Sequence, residues 1–373
     1  MNIKKIYFLT IAVIFICIYI TKIQKFVAIE NLDIPVGVGY DIKEDSKNPI
    51  YSIPIAVYNF GEGENQPVTS IILEGIGSTI GETREERQIK SNRKFILGTE
   101  KVLIISNQAA ERGIQDIINI LFSNPLANDK AFATIFSGKS KEALQLKIKG
   151  YPSAADYIEG MLESSTNFNF FADQYRLIDI FARVKAEGRE LVLPYMDIDN
   201  DKKELKIIGM AIFDKDKMVR TINVEESKSM NILRENAVRG VITIKDKTGE
   251  STDLQAMSNR KVKCKKEKDK YSFTIDLMVK LDIIGNDIYK NLQNDPKEIK
   301  ALEEDVKEVI EKMCYSFIDK MQEEIKIDCL ELGRVAAAKY GRGTGIDWNK
   351  IVSEADIKVN VKTRLDRIGR GKY

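Results

Sequence analysis

The chain has 373 residues, enough for two domains or a little more, and its 43% hydrophobic and 31% charged content lets it bury a core and stay soluble. Its 58 basic and 56 acidic residues leave a net charge of +2, which gives no general attraction for nucleic acid. There is no histidine, which excludes Ser-His-Asp and Cys-His catalysis, imidazole proton shuttling and most zinc sites.

Lys4 and Lys5 precede an uncharged apolar run from Ile6 to Thr21, and Lys22 and Lys25 follow it. The pattern predicts an export or anchoring segment over 1–24 that holds a soluble body at a membrane, or sends it across. At about 1.5 Å per residue the run spans roughly 24 Å, short of the roughly 30 Å hydrocarbon core. Lysines before the run place the N-terminus inside and the body outside, although the second cluster weakens that asymmetry. Cys17 lies near the end of the run, where a lipoprotein signal carries its modified cysteine, but Ile16 before it is not small. Cys17 is therefore either a lipidation candidate or one more apolar residue of a membrane helix. Cys264, Cys314 and Cys329 form no Cys-x-x-Cys pair, so no metal or redox site is expected and they are assigned to the core.

A strand is predicted over 50–60, with Pro54 placing it at a sheet edge or a bulge, and a polar turn over 61–66. After a short strand at 70–74, Gly75-Ile76-Gly77-Ser78-Thr79 reads as a turn plus N-cap. Ser78 or Thr79 caps a helix to about 90, with Glu82 in its first turn. The stretch lacks the Lys-Ser/Thr of a phosphate loop, so no nucleotide is expected. The unbroken apolar run at 101–106 predicts a strand covered on both faces. Asn107 caps a helix carrying Ala110, Ile114, Ile117, Ile118 and Leu121 at helical spacing, ended by Asn124-Pro125. A strand at 131–136, helices at 153–164 and 174–186 and a strand at 190–195 follow. Asn167-Phe168-Asn169-Phe170-Phe171 is an aromatic loop, either a ligand or partner surface or a plug that packs the loop onto the core. Asp197-Ile198-Asp199-Asn200-Asp201 lacks the glycine and glutamate of an EF-hand loop. It reads as a solvated linker between an N-terminal α/β-type domain, 25–200, and a C-terminal α+β domain, 201–373.

The second half opens with a hairpin over 205–222 that turns at Asp214-Lys215-Asp216-Lys217, then a helix at 225–234. Strands at 240–245, 254–265 and 271–284 come next, the second with Lys and Arg at alternate positions, as on a half-exposed antiparallel strand. The longest element is a helix over 297–325. Ile299, Leu302, Val306, Val309, Ile310, Met313, Phe317, Ile318 and Met321 lie on its single apolar stripe, so it lies across a sheet. A helix at 330–340 follows. Gly341-Arg342-Gly343-Thr344-Gly345 comes after a helix rather than a strand and is no dinucleotide fingerprint. Asp347-Trp348 opens a short helix, and an alternating strand at 357–367 closes the chain. The predicted fold class is α+β: mixed or antiparallel sheets packed with helices in two or three subdomains, behind an N-terminal hydrophobic anchor.

Read together, these stretches resemble a known family. They are Val36-Gly37-Val38-Gly39-Tyr40-Asp41, Glu74-Gly75, Lys101-Val102-Leu103-Ile104-Ile105, Asn124-Pro125-Leu126-Ala127, Gly209-Met210-Ala211-Ile212-Phe213, 328–333 and Asp347-Trp348. The chain is similar over most of its length to the Ger(x)C spore germination lipoproteins, the C subunits of bacterial spore germinant receptors. The resemblance implies a non-enzymatic subunit with no cofactor, working with two integral membrane subunits and the lipid of the inner spore membrane, its body on the outer face. Its usual lipidation signal would make Cys17 the anchored residue, and Ile16 departs from that signal. Two other classes stay open. A hydrolase would need paired carboxylates, such as Glu82 with Glu85 or Asp197 with Asp199, converging roughly 5–9.5 Å apart in a cleft. An extracytoplasmic ligand-binding protein would need a closed apolar pocket with a few convergent polar groups.

Overall fold

The run at 101–106 is apolar on both sides because both sides are covered. Val102 and Ile104 enter one cluster of buried side chains, and Leu103 and Ile105 enter another. The computed structural model describes residues 3–23, 27–43, 49–61, 66–199, 201–268 and 270–368. The side chains of Lys4, Lys5 and Lys22, together with Lys25, most of the turn expected at 61–66, and Asn200, lie outside the described residues.

The first half runs α1 (Ile3–Ile23), β1 (Leu32–Asp33), β2 (Pro35–Lys43), β3 (Ile50–Asn59), β4 (Thr69–Gly77), α2 (Ile80–Gln88), β5 (Lys94–Phe95) and β6 (Val102–Ser106). It continues with α3 (Asn107–Arg112), α4 (Gln115–Phe122), β7 (Phe132–Phe136), α5 (Ser140–Gln145), α6 (Ala154–Ser165), α7 (Leu177–Val184), β8 (Val192–Asp199), β9 (Glu204–Asp214) and β10 (Lys217–Asn223). One eight-stranded sheet takes the order β10-β9-β8-β7-β6-β2-β3-β4. Its centre is parallel, from β2 through β6 and β7 to β8, and its flanks are antiparallel hairpins. Buried residues of α5 and α6 cover one face, and those of α2, α3, α4 and α7 the other.

The second half runs α8 (Val224–Arg234), β11 (Val238–Lys245), β12 (Ser251–Glu267), β13 (Lys270–Asn286), α9 (Pro296–Lys320), α10 (Leu332–Tyr340), α11 (Trp348–Ser353) and β14 (Asp356–Arg367). Strands β11-β12-β13-β14 form a four-stranded sheet, antiparallel except for the last pair. Asp295 caps α9 and Pro296 takes its first position, where the missing N–H costs no helical bond. The buried stripe Leu302, Val306, Ile310, Cys314 and Phe317 lies in the same core as Phe273, Ile275, Leu277 and Val359 of the sheet. Cys264, Cys314 and Cys329 are all buried, as their apolar neighbours required, and burial pushes the Cys314 and Cys329 thiols up to about 12.

Several expectations need correction. Pro54 is not at an edge, because β3 pairs with β2 on one side and β4 on the other. Its ring fits there because Gly39 faces it, where a Cβ would lie 2.7 Å from Pro54 Cγ. Gly75 and Gly77 belong to β4 rather than to a turn. A Cβ on Gly75 would lie 1.9 Å from the Thr83 carbonyl oxygen, so the glycine lets α2 sit directly on its strand. Thr79 does cap α2, its Oγ1 accepting from Glu82 N–H. Ser106, not Asn107, caps α3, and Gly113, at φ 126°, separates α3 from α4 in what the periodicity reads as one helix. Asp197 and Asp199 lie in β8, which pairs with β9, so they are not part of a free linker. In the aromatic loop Phe170 and Phe171 are buried and Phe168 is exposed. Phe170 N–H donates to Arg239 O at 2.7 Å, and the ring fills the space over Gly240.

Candidate functional site

The two halves meet on a buried polar junction, built around the stretch that follows α9. A π-helical turn, Met321–Ile325, ends at Lys326 in a left-handed conformation, and the chain from Ile327 to Leu332 is then buried. Asp328 organises the start of α10. Its Oδ1 accepts from Leu332 N–H at 3.0 Å and its Oδ2 from Gly333 N–H at 2.6 Å, satisfying helix donors that have no partner within the helix. Burial pushes the Asp328 carboxyl up to about 6 despite those two bonds. Gly333 is required here, because a Cβ would lie 2.6 Å from Trp348 Cβ.

Glu331 gathers arginines from three helices and the segment between α7 and β8. Its Oε1 accepts from Arg234 Nη2 at 2.8 Å and from Arg183 Nε at 3.2 Å. Its Oε2 lies 3.3 Å from Arg189 Nε and 3.5 Å from Arg334 Nε. Burial alone would raise this carboxyl, but the guanidiniums of Arg234, Arg183, Arg189 and Arg334 outweigh it and hold the group at about 2. Arg234, wholly buried, also donates to Cys329 O at 2.6 Å and Glu190 O at 3.0 Å, and pairs with Glu235 at 2.9 Å. Arg260 of β12 donates to Leu330 O at 2.9 Å and to Leu233 O. Desolvation lowers Arg260 to about 10. Arg183 ends α7, Arg234 ends α8 and Arg334 lies in α10, so one carboxylate ties both halves together.

A wide, solvent-open cleft of about 1010 Å³ lies beside this junction, between the 184–190 segment and the 345–354 segment. Trp348 Nε1 donates to Glu187 Oε1 at 2.9 Å, and Asn349 Nδ2 to Glu190 Oε1 at 3.1 Å, linking the two segments. Lys215, Lys326 and Lys350 line it with these carboxylates. Such walls suit a polar polypeptide surface, whereas small-molecule sites are mostly apolar and enclosed.

Of the carboxylates considered for hydrolysis, Glu82, Asp197 and Asp199 are engaged locally. Glu82 accepts from Ser78 N–H and Ser78 Oγ, both at 2.7 Å, and Glu85 is exposed on α2. Asp197 accepts from Ser137 Oγ at 2.5 Å and Ile198 N–H at 2.8 Å, and Asp199 from Asp201 and Lys202 N–H. Neither pair lines the cleft. Among the described residues no cluster of His, Cys, Asp or Glu could hold a metal ion. Cys17 is exposed on α1, beside exposed Ile16. Among the described residues no helix is long and apolar enough to cross a membrane; the described side chains of α1 cover only 6–19. Sequence reasoning missed the arginine junction, although the stretch 328–333 that organises it was one of those carrying the resemblance.

Two family models match the chain: "Spore germination protein N-terminal domain" over residues 25–198, and "Spore germination B3/GerAC like, C-terminal" over 208–369. The spore germination protein GerQC of Bacillus cereus is 26% identical over 376 residues, covering 98% of each chain. The crystal structure of the GerBC protein superimposes with a TM-score of 0.56 over 88% of this chain and 97% of that one. At 15% identity that likeness is one of fold. It agrees with a mixed α+β architecture of several sheets and helices.

Proposed function

The chain belongs to the Ger(x)C family of spore germination proteins, and we propose that it acts as a non-enzymatic, membrane-anchored subunit of a nutrient germinant receptor. It works through contacts with integral membrane subunits, at the spore inner membrane with its body on the outer face. The observation that carries this reading is the match to family models in both halves, together with a germination protein that covers 98% of the chain. The geometry supports it. The cleft beside the junction is open and carries charged residues on its walls, and Glu82, Asp197 and Asp199 are held in local hydrogen bonds.

The test is genetic. Spores lacking the chain should lose the response to at least one nutrient, and the full chain should restore it. Glu82→Gln with Glu85→Gln, and Asp197→Asn with Asp199→Asn, should restore it equally well. Loss of response in either double variant, with the protein present at normal level, contradicts the non-enzymatic reading.

A further inference from the structure

The eight- and four-stranded sheets have four outer strands, β10, β4, β11 and β14, and three of these are blunted. β10 carries Lys217 and Arg220 and breaks its register between Met218 and Arg220. β11 is partly covered by the aromatic loop: Phe170 N–H donates to Arg239 O at 2.7 Å, and Val241 N–H to Phe168 O at 3.1 Å. The outer backbone of β14 is met by α9, where Val359 N–H donates to Tyr315 Oη at 3.2 Å and Leu365 N–H to Glu303 Oε1 at 2.8 Å. Charges, bulges and covering segments are the ordinary means of keeping a strand edge from pairing with another chain.

β4 is the exception. It ends the large sheet and pairs with β3 without a break in register from Thr69 to Gly77. From Thr69 to Leu73 it carries no charge and, among the described residues, has no pairing strand on its outer side. Its one charged residue, Glu74, is held by Ser52 Oγ and Lys141 Nζ, both at 2.5 Å. Pro54 of β3 lies opposite Glu74 and has no N–H, so the bonds of the β3–β4 ladder fall on the residues to either side. Ser70, Ile72, Glu74 and Ile76 therefore turn their backbone groups outward. Ile76 agrees, since its N–H donates to Glu86 Oε2 at 3.0 Å. Val68, Ile71 and Ile76 flank this open backbone with side chains 37%, 42% and 36% exposed.

We infer that β4 pairs antiparallel with β4 of a second copy of this chain, about a two-fold axis at Ile72. What selects a second copy is that the strand is complementary to itself. With Ile72 opposite Ile72 of the second copy, Ile71 lies opposite its Leu73, Ser70 opposite its Glu74 and Val68 opposite its Ile76. Each exposed apolar side chain then meets an apolar one, and each Glu74 meets a hydroxyl rather than another charge. The outward groups of Ser70, Ile72 and Glu74 exchange their bonds with one another, and the ladder stops where Glu86 already holds Ile76 N–H. The helices leave room for it. Gly75, on which α2 sits, is three residues from the axis in each copy, so the two Gly75 lie roughly 20 Å apart along the strands. A helix is roughly 10–12 Å wide. An isologous contact of this kind closes as a dimer instead of growing into a fibre. The inference goes beyond the receptor-subunit reading and does not depend on it, because association is measured on the chain alone.

The experiment measures the mass of the full chain in mild detergent by sedimentation over a dilution series. A reversible dimer is expected. Ile71→Lys places a charge on the open edge and should weaken the dimer about tenfold or more, in a protein whose melting curve shows it folded. Cross-linking reads the register, in a Cys17→Ser background that removes the exposed native thiol. Ile72→Cys brings the two introduced thiols to directly opposed positions, about 5.5 Å apart at Cα and within disulfide reach. Ser70→Cys leaves them roughly 14 Å apart along the strands, out of reach. Oxidation should therefore link the Ile72→Cys dimer and spare the Ser70→Cys one. A monomer at every dilution, a dimer indifferent to Ile71→Lys, or equal linking at the two positions would overturn the inference.

Discussion

Glu331 occupies a left-handed backbone conformation, φ 55°, which costs a non-glycine residue on the order of 1–3 kcal/mol. What sustains it is the set of guanidiniums on its carboxylate. Removing one partner of a buried ion network leaves the others uncompensated, at about 3–5 kcal/mol. Glu331→Gln should therefore destabilise the chain by about that amount, read from urea unfolding. The two buried acids titrate in opposite senses. Glu331 is held below its unfolded value of 4.5, so its stabilisation is present above that pH and is lost as pH falls toward about 2. Asp328 is raised from 3.8 to about 6, so stability falls as pH rises through that window, by roughly 3 kcal/mol. Acidifying from pH 7 to pH 5 should stabilise the native chain relative to Asp328→Asn. An equal pH response in the two proteins would show that Asp328 is not buried in charged form.

At the scale of elements, much of the architecture was legible because local periodicity reports it. The stripe of α9, the doubly buried β6 and the alternation of β14 follow from side-chain spacing alone. What misled was local chemistry whose meaning is set across the sheet. Pro54 signals an edge strand until Gly39 is placed opposite it. Gly75 signals a turn until α2 is laid against it. The arginine junction was invisible for the same reason, since Arg183, Arg234, Arg260 and Arg334 meet only after both halves fold. Glycine substitutions test this account of the packing. Gly75→Ala, which puts a Cβ 1.9 Å from Thr83 O, should cost about 1–3 kcal/mol through overpacking. Gly160→Ala, in the middle of α6 with nothing within 4 Å, should instead stabilise by about 0.4–1 kcal/mol. Thermal unfolding of the two variants side by side separates a packing glycine from a merely permissive one.

For the whole molecule, the apolar core runs from Val38 in the first half to Val361 in the last strand, and the Glu331 junction is buried within the same interface. The two halves therefore share one buried core. The proposed anchor belongs to this scale as well. With Ile16 rather than a small residue before Cys17, mass spectrometry of the membrane-bound protein should find the peptide from Met1 to Lys22 unmodified. A diacylglyceryl group on Cys17 would show that the poor signal is nonetheless used. The receptor-subunit role is tested most directly by purifying the tagged full chain from spore membranes in mild detergent and identifying what accompanies it. The expected result is co-elution, in fixed ratio, with multi-spanning membrane proteins, persisting in Glu82→Gln with Glu85→Gln. Elution of the chain alone, from spores whose nutrient response depends on it, would contradict the role.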